Sequence, residues 1–158
     1  MAEVLAELAR QLGREVTEPD VEPLKWTLGE LGKQVTADEV RAARDGVADF
    51  GRSVVSWWDD HDLLLTPTLA EPPLPSGALL PTPADPLAAL ARSQQFAPFT
   101  PFVDFAGLPA INLPLHIGTG GLPIGVQLVA GPGRDDLPLR VAAHLETAAP
   151  WQDRRPAV

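Results

Sequence analysis

The chain contains no cysteine, so neither disulfides nor thiol chemistry is open to it, which fits the cytoplasm. Basic residues are few: 12 against 21 acids, for a formal net charge of -9. Nucleic acid and anionic membrane surfaces both demand clustered Lys and Arg, and the scattered basic residues argue against either partner. No apolar run approaches membrane-spanning length, and the N-terminal MAEVLAELARQLG carries acids instead of the apolar core of a signal peptide. Absent too are HxxxH and HExxH spacings, GxGxxG and P-loop patterns, so neither a metal nor a cofactor is expected. One absence matters more than the others. No Gly/Ser-rich stretch is present of the kind that holds a serine nucleophile among convergent backbone N–H groups.

What is present divides in two. Residues 1–60 read as helical. Val4, Leu5, Leu8 and Leu12 fall at helical spacing before Gly13, and Pro23 opens a second helix that closes near Gly32. Thr36 with Glu39 forms a capping-box pattern, in which each side chain satisfies a free backbone N–H. The long helix that follows puts Val40, Ala43, Val47, Phe50, Val54 and Trp57 on one stripe. Asp59, Asp60 and Asp62 end it, since acids are unfavourable at the negative end of a helix dipole.

From Pro67 to Pro138 lie 14 of the 18 prolines, which excludes long regular elements from most of residues 61–158. Leu63–Leu65 predicts a short buried strand, residues 66–83 an extended loop, and Asp85–Arg92 a short helix opening at Pro86. Ala110–Leu115 and Ile124–Ala130 predict two strands, joined by a turn at Gly118–Gly121. A final helix from near Asp135 keeps Pro138 in its first turn and is expected to bury Leu139, Val141, Ala142 and Leu145. At 158 residues this suits one mixed α/β domain.

Serine catalysis needs a base to take the hydroxyl proton and donors to meet the oxyanion. The serines are Ser53, Ser56, Ser76 and Ser93, and the lysines Lys25 and Lys33. None sits in a glycine-rich elbow, and Ser53 and Ser56 read as solvated or back-bonded helix hydroxyls. Asp59, Asp60 and Asp62 lack the glycine and distal glutamate of a calcium loop and read as a solvated helix end. Phe96, Phe99, Phe102 and Phe105 recur at every third residue, a spacing that drifts by about 60° per step in an α-helix but stays aligned in a 3₁₀ turn. Core packing is the plain explanation for these rings.

Four segments taken in order carry a resemblance. They are DLLLTPT at 62–68, AGLPAINLPL at 106–115, GLPIGVQLVAGPG at 121–133 and RVAAHLE at 140–146. Together they resemble the C-terminal part of amidase signature enzymes. EPLKW at 22–26 and PW at 150–151 are similar to the branch that includes 6-aminohexanoate cyclic-dimer hydrolases. The resemblance implies the C-terminal portion of an α/β/α sandwich with a mixed sheet, so that 1–158 is one partial amidase domain. It implies a carboxamide hydrolase working through an acyl-serine, in which a serine, a second serine held by a cis peptide and a lysine base lie upstream of the part seen here. No catalytic residue is then expected in this chain, which is expected to be inactive alone. Its partner would be a missing N-terminal amidase part or another copy of itself, and its origin a gene remnant, a misread start or one half of a split enzyme. A noncatalytic interaction protein that keeps the fold is the alternative.

Phe96, Phe99, Phe102 and Asp104 are the candidate substrate-binding residues, lining the acyl side of a pocket. Asp104 stands where relatives often have asparagine. Leu108 replaces a polar residue and Pro138 a leucine.

Overall fold

A computed structural model describes residues 1–154, which form two compact units. The first takes in Met1–Arg44 and Leu74–Gln95. Helix α1 (Ala2–Leu12) stops at Gly13, whose φ of 64° is left-handed backbone that a side chain would resist. It packs on α2 (Pro23–Gly32) through Leu5, which sits where a Cβ on Gly29 would be. Between them, Asp20 closes a 3₁₀ turn by accepting from the backbone N–H and hydroxyl of Thr17 and from both ends of the Arg14 guanidinium. The predicted capping box forms. Glu39 accepts from the backbone N–H and hydroxyl of Thr36, whose oxygen accepts from the Glu39 N–H, and α3 (Ala37–Val55) begins there.

After α3, a 3₁₀ turn (Ser56–Asp59) carries the chain to the acidic cluster, as its charge predicts. The helix expected at Asp85–Arg92 is displaced: α4 runs Ala88–Phe96, because Asp85 Oδ1 accepts the Ala88 N–H and holds Pro86 and Leu87 in a turn.

The second unit takes in residues 45–73 and those from Phe96 onward. Its frame is an antiparallel sheet of β1 (Leu63–Pro67), β2 (Ala110–Ile117) and β3 (Pro123–Ala130), in the order β1-β3-β2. The β2–β3 hairpin turns at the predicted glycines: Gly118 N–H donates to Leu122 O, and Gly121 has a φ of 76°. Alternation gives β3 two working faces. Val129 packs with Leu108 and with Val103 of α5 (Pro101–Ala106), against Trp58, Leu64 and Phe102. Leu128 and Leu113 face the other way, onto Ala142, Val141 and Leu145 of α6 (Asp136–Ala148).

Two burial expectations fail. Leu65 is 62% exposed and Leu139 60% exposed, although each continues an apolar pattern. Leu65 lies on β1, an edge strand of the sheet, whereas α6 packs over β2 and β3; Leu139 lies on the outer part of α6 itself. The apolar stripe of α3 is likewise uncovered at Val47 and Phe50, and Trp57 just beyond the helix is exposed with them. No helix among the described residues is long and apolar enough to cross a membrane.

Candidate functional site

The phenylalanine segment is tied to the sheet by its backbone. Helix α4 ends at Phe96, whose carbonyl accepts the Ala70 N–H at 3.0 Å. Three residues on, the Phe99 carbonyl accepts from Gln127 Nε2 at 2.9 Å. Gln127 is 5% exposed and is the sole buried polar side chain among the described residues; its amide also approaches Thr66 Oγ1 at 3.3 Å. Pro101 then opens α5 in the first turn, where its missing N–H costs nothing, and Gly107 closes it at a φ of 62°. Gln127 lies within the strand predicted at Ile124–Ala130, but this role was not read from the sequence. The available signal was an amide in the middle of an otherwise apolar strand, which needs a partner once buried.

The spacing of the four rings does not bring them onto one face. Residues 101–106 are α-helical, so Phe102 packs inward against the Val103–Leu108–Val129 cluster while Phe105 is 55% exposed. Phe96 and Phe99 are half-buried on either side of the turn, and no two phenylalanine rings pair among the described residues. Asp104 faces solvent, and its carboxylate has no partner among the described residues.

Phe102 does line a cavity of about 410 Å³, with Phe50, Ser53, Val54, Trp57, Trp58 and Leu64. Trp57 stacks on His61 with ring centroids 3.7 Å apart and meets Trp58 edge-on at 5.0 Å. Trp58 is seated against Gly131, where a Cβ would come within 3.2 Å of its side chain, and its buried Nε1–H has no acceptor among the described residues. No charged side chain lines this groove. It is suited to an uncharged apolar group or to a packed protein surface.

The hydroxyl in that groove is not activated. Ser53 Oγ donates to Phe50 O at 2.8 Å and Ser56 Oγ to Ser53 O at 2.9 Å, so of the solvated and back-bonded states the back-bonded one is found. Lys25 and Lys33 are exposed and paired with Glu22 and Glu30 one turn away. The clear electrostatic perturbations fall on helix starts instead. Hydrogen bonds from Arg14 and Thr17 hold the Asp20 carboxyl well below the usual carboxylate range, and those from Thr36 lower that of Glu39. No group of three His, Asp or Glu side chains among the described residues is placed to hold a metal ion.

The amidase family profile matches residues 3–139. The 6-aminohexanoate-cyclic-dimer hydrolase of Paenarthrobacter ureafaciens is 39% identical over 151 residues, which take in 92% of this chain and 31% of that protein. The hydrolase of the same name from Pseudomonas sp. strain NK87 is 38% identical over the same shares. A solved 6-aminohexanoate cyclic dimer hydrolase in complex with substrate superposes with a TM-score of 0.91 at 37% identity, over 98% of this chain and 33% of that one. The chain thus spans about a third of the length of these relatives.

Proposed function

The chain belongs to the amidase family, and from that membership we propose that it forms the C-terminal third of a carboxamide hydrolase. In this reading the serine nucleophile, its cis-peptide serine and the lysine base come from a segment outside these 158 residues. The serine oxygen attacks the carboxamide carbon, the amine leaves with a proton, and water then releases the acid from the acyl-serine. This chain supplies sheet, flanking helices and an apolar wall at the acyl side.

The observation that carries the reading is a pairing of likeness with a gap. The structure follows a solved hydrolase closely over a third of its length, while Ser53 and Ser56 donate hydrogen bonds to helix carbonyls and have no basic side chain as partner among the described residues. For the wall, the support is the segment from Phe96 to Asp104, strapped to the sheet by Gln127, with Phe102 reaching the apolar groove. An uncharged aliphatic or aromatic acyl group fits that lining.

Two measurements test this. A serine-directed fluorophosphonate on the folded chain alone is expected to leave its intact mass unchanged; a stoichiometric adduct would place the nucleophile within these residues and overturn the reading. A chimera, in which this chain replaces the matched stretch of the Paenarthrobacter hydrolase, is expected to hydrolyse the 6-aminohexanoate cyclic dimer. The second reading, a noncatalytic interaction protein, draws support from the exposed Phe50, Trp57 and Leu65. It predicts a folded but inactive chimera and an isolated chain that associates through those residues.

A further inference from the structure

Another cavity lies at the turn end of the β2–β3 hairpin and takes no residue from the phenylalanine segment. It holds about 470 Å³ between the hairpin, through Pro114, Ile117, Leu122 and Pro123, and the turn at 151–154, through Trp151 and Arg154. That volume falls in the range of small-molecule sites. The walls are mainly apolar, yet Ile117 and Leu122, on either side of the hairpin turn, are left exposed.

The turn that closes the cavity is anchored. Trp151 packs against the Leu113–Leu128–Ala142 cluster, the Arg154 N–H donates to Trp151 O at 3.0 Å, and Arg154 Nη1 donates to Pro114 O at 3.1 Å. The first contact fixes an indole as one wall. The other two hold a guanidinium beside it.

Arg154 is the single charged residue lining the cavity. It forms no ion pair among the described residues, although acids outnumber basic residues 21 to 12 in this chain and arginines such as Arg14, Arg41 and Arg52 are paired. A guanidinium carries its N–H donors in a planar fork. With Nη1 given to Pro114 O, the edge formed by Nε and Nη2 has no protein acceptor among the described residues. That edge matches the two oxygens of one carboxylate. A doubly charged anion would call for a second cation, and no other lines the cavity.

We propose that this cavity binds a small aromatic carboxylate, with its ring between Trp151 and the Ile117–Leu122 side and its carboxylate on the Nε–Nη2 edge of Arg154. Indole and proline walls favour a flat rigid ring over a flexible chain, which loses more freedom on binding. The site is independent of the proposed function. Every group in it belongs to this chain, and it needs neither a serine nucleophile nor the remainder of a hydrolase.

Naphthoate titrated into the isotope-labelled chain tests this, followed by NMR at backbone amides, indole N–H groups and arginine Nε–H groups. We expect saturable shifts at Ile117, Leu122, Trp151 and the Arg154 Nε–H, with a Kd of about 1 mM or tighter. Naphthalenemethanol keeps the ring without the charge and should bind at least about tenfold more weakly, as should naphthoate to Arg154→Gln. Leu122→Glu sets a carboxylate on an exposed part of the wall and is expected to abolish binding with circular dichroism unchanged. Shifts that do not saturate, or that fall only on the groove of Phe50, Trp57 and Phe102, overturn the site. Equal affinities for the acid and the alcohol, or for the native chain and Arg154→Gln, overturn the carboxylate assignment. Binding that survives in a folded Leu122→Glu places the ligand elsewhere and also counts against the proposal; if that variant does not fold, the Arg154→Gln comparison decides.

Discussion

Replacing Gln127 by leucine removes the one buried polar side chain among the described residues, which hydrogen-bonds the Phe96–Asp104 segment to the sheet. Leucine fills nearly the same space, so little cavity forms and the loss is almost wholly polar. The bond to Phe99 O, at 2.9 Å, is worth about 1 kcal/mol net, and leaving that carbonyl without a donor adds roughly 1–2 kcal/mol. The longer contact to Thr66 Oγ1, at 3.3 Å, adds little. A loss of about 2–3 kcal/mol is expected, a large share of the 5–15 kcal/mol typical of a whole domain. Urea unfolding followed by tryptophan fluorescence reads it, with Trp58 as a reporter in the same unit. Gln127→Glu should cost more, because a carboxylate cannot donate to a carbonyl and is itself poorly solvated there. Amide exchange across residues 97–104 should speed up in both variants. If Gln127→Leu unfolds within about 0.5 kcal/mol of the native chain at unchanged urea slope, the carbonyl has another donor and the tether reasoning is wrong.

Gly125→Ala should destabilise by about 1–3 kcal/mol, since a Cβ there collides with Asn112 Oδ1 and Thr68 Oγ1, which hydrogen-bond to each other; thermal melting checks it, and an unchanged melting temperature would contradict the packing. Asp20 and Glu39 have lowered pKa values in the folded chain, so each contributes stability above the ordinary carboxylate range that is lost as pH falls through that range towards the folded value. Melting between pH 7 and pH 2 should therefore show a steeper acid-side fall in the native chain than in Asp20→Asn, and parallel curves would refute this. In the chimeric hydrolase, Phe102→Ala should raise KM about tenfold with kcat little changed, the loss of a half-buried aromatic contact. A KM that does not move would remove Phe102 from the substrate wall.

Features that depend on a few adjacent residues were legible in advance. Thr36 and Glu39 cap α3 through bonds that need only a three-residue spacing, and Gly13 and Gly121 adopt the positive φ that their positions suggest. The hairpin register follows from alternation, which sends Val129 and Leu128 to opposite faces. Burial was less legible. Leu65 and Leu139 continue apolar patterns, but a pattern says which residues share a face and not whether another layer covers it. The phenylalanine repeat misled for a related reason: a spacing of three suits a 3₁₀ turn, yet Pro101 and Gly107 bracket a turn and a half of α-helix that turns Phe105 outward. Gln127 was visible as an oddity only. Its partner is a backbone carbonyl 28 residues away, and no spacing rule reaches that far.

The order of strands in the sheet has a kinetic consequence. β2 and β3 are joined by residues 118–122, so their hairpin closes a very short loop, and α6 follows directly to cover it. β1 reaches β3 only after residues 68–122 have been looped out. That closure costs about 2 kcal/mol more in chain entropy than the hairpin does, and many of the contacts that reward it come from β3 itself. Refolding should thus begin at the C-terminal hairpin and finish at β1. The strand that arrives last is the edge strand β1, and on a ribosome it is made before the other two. Until β3 emerges, Leu63–Leu65 is an apolar strand without a neighbour, which makes synthesis, more than the finished fold, the stage at which this chain is most exposed to aggregation.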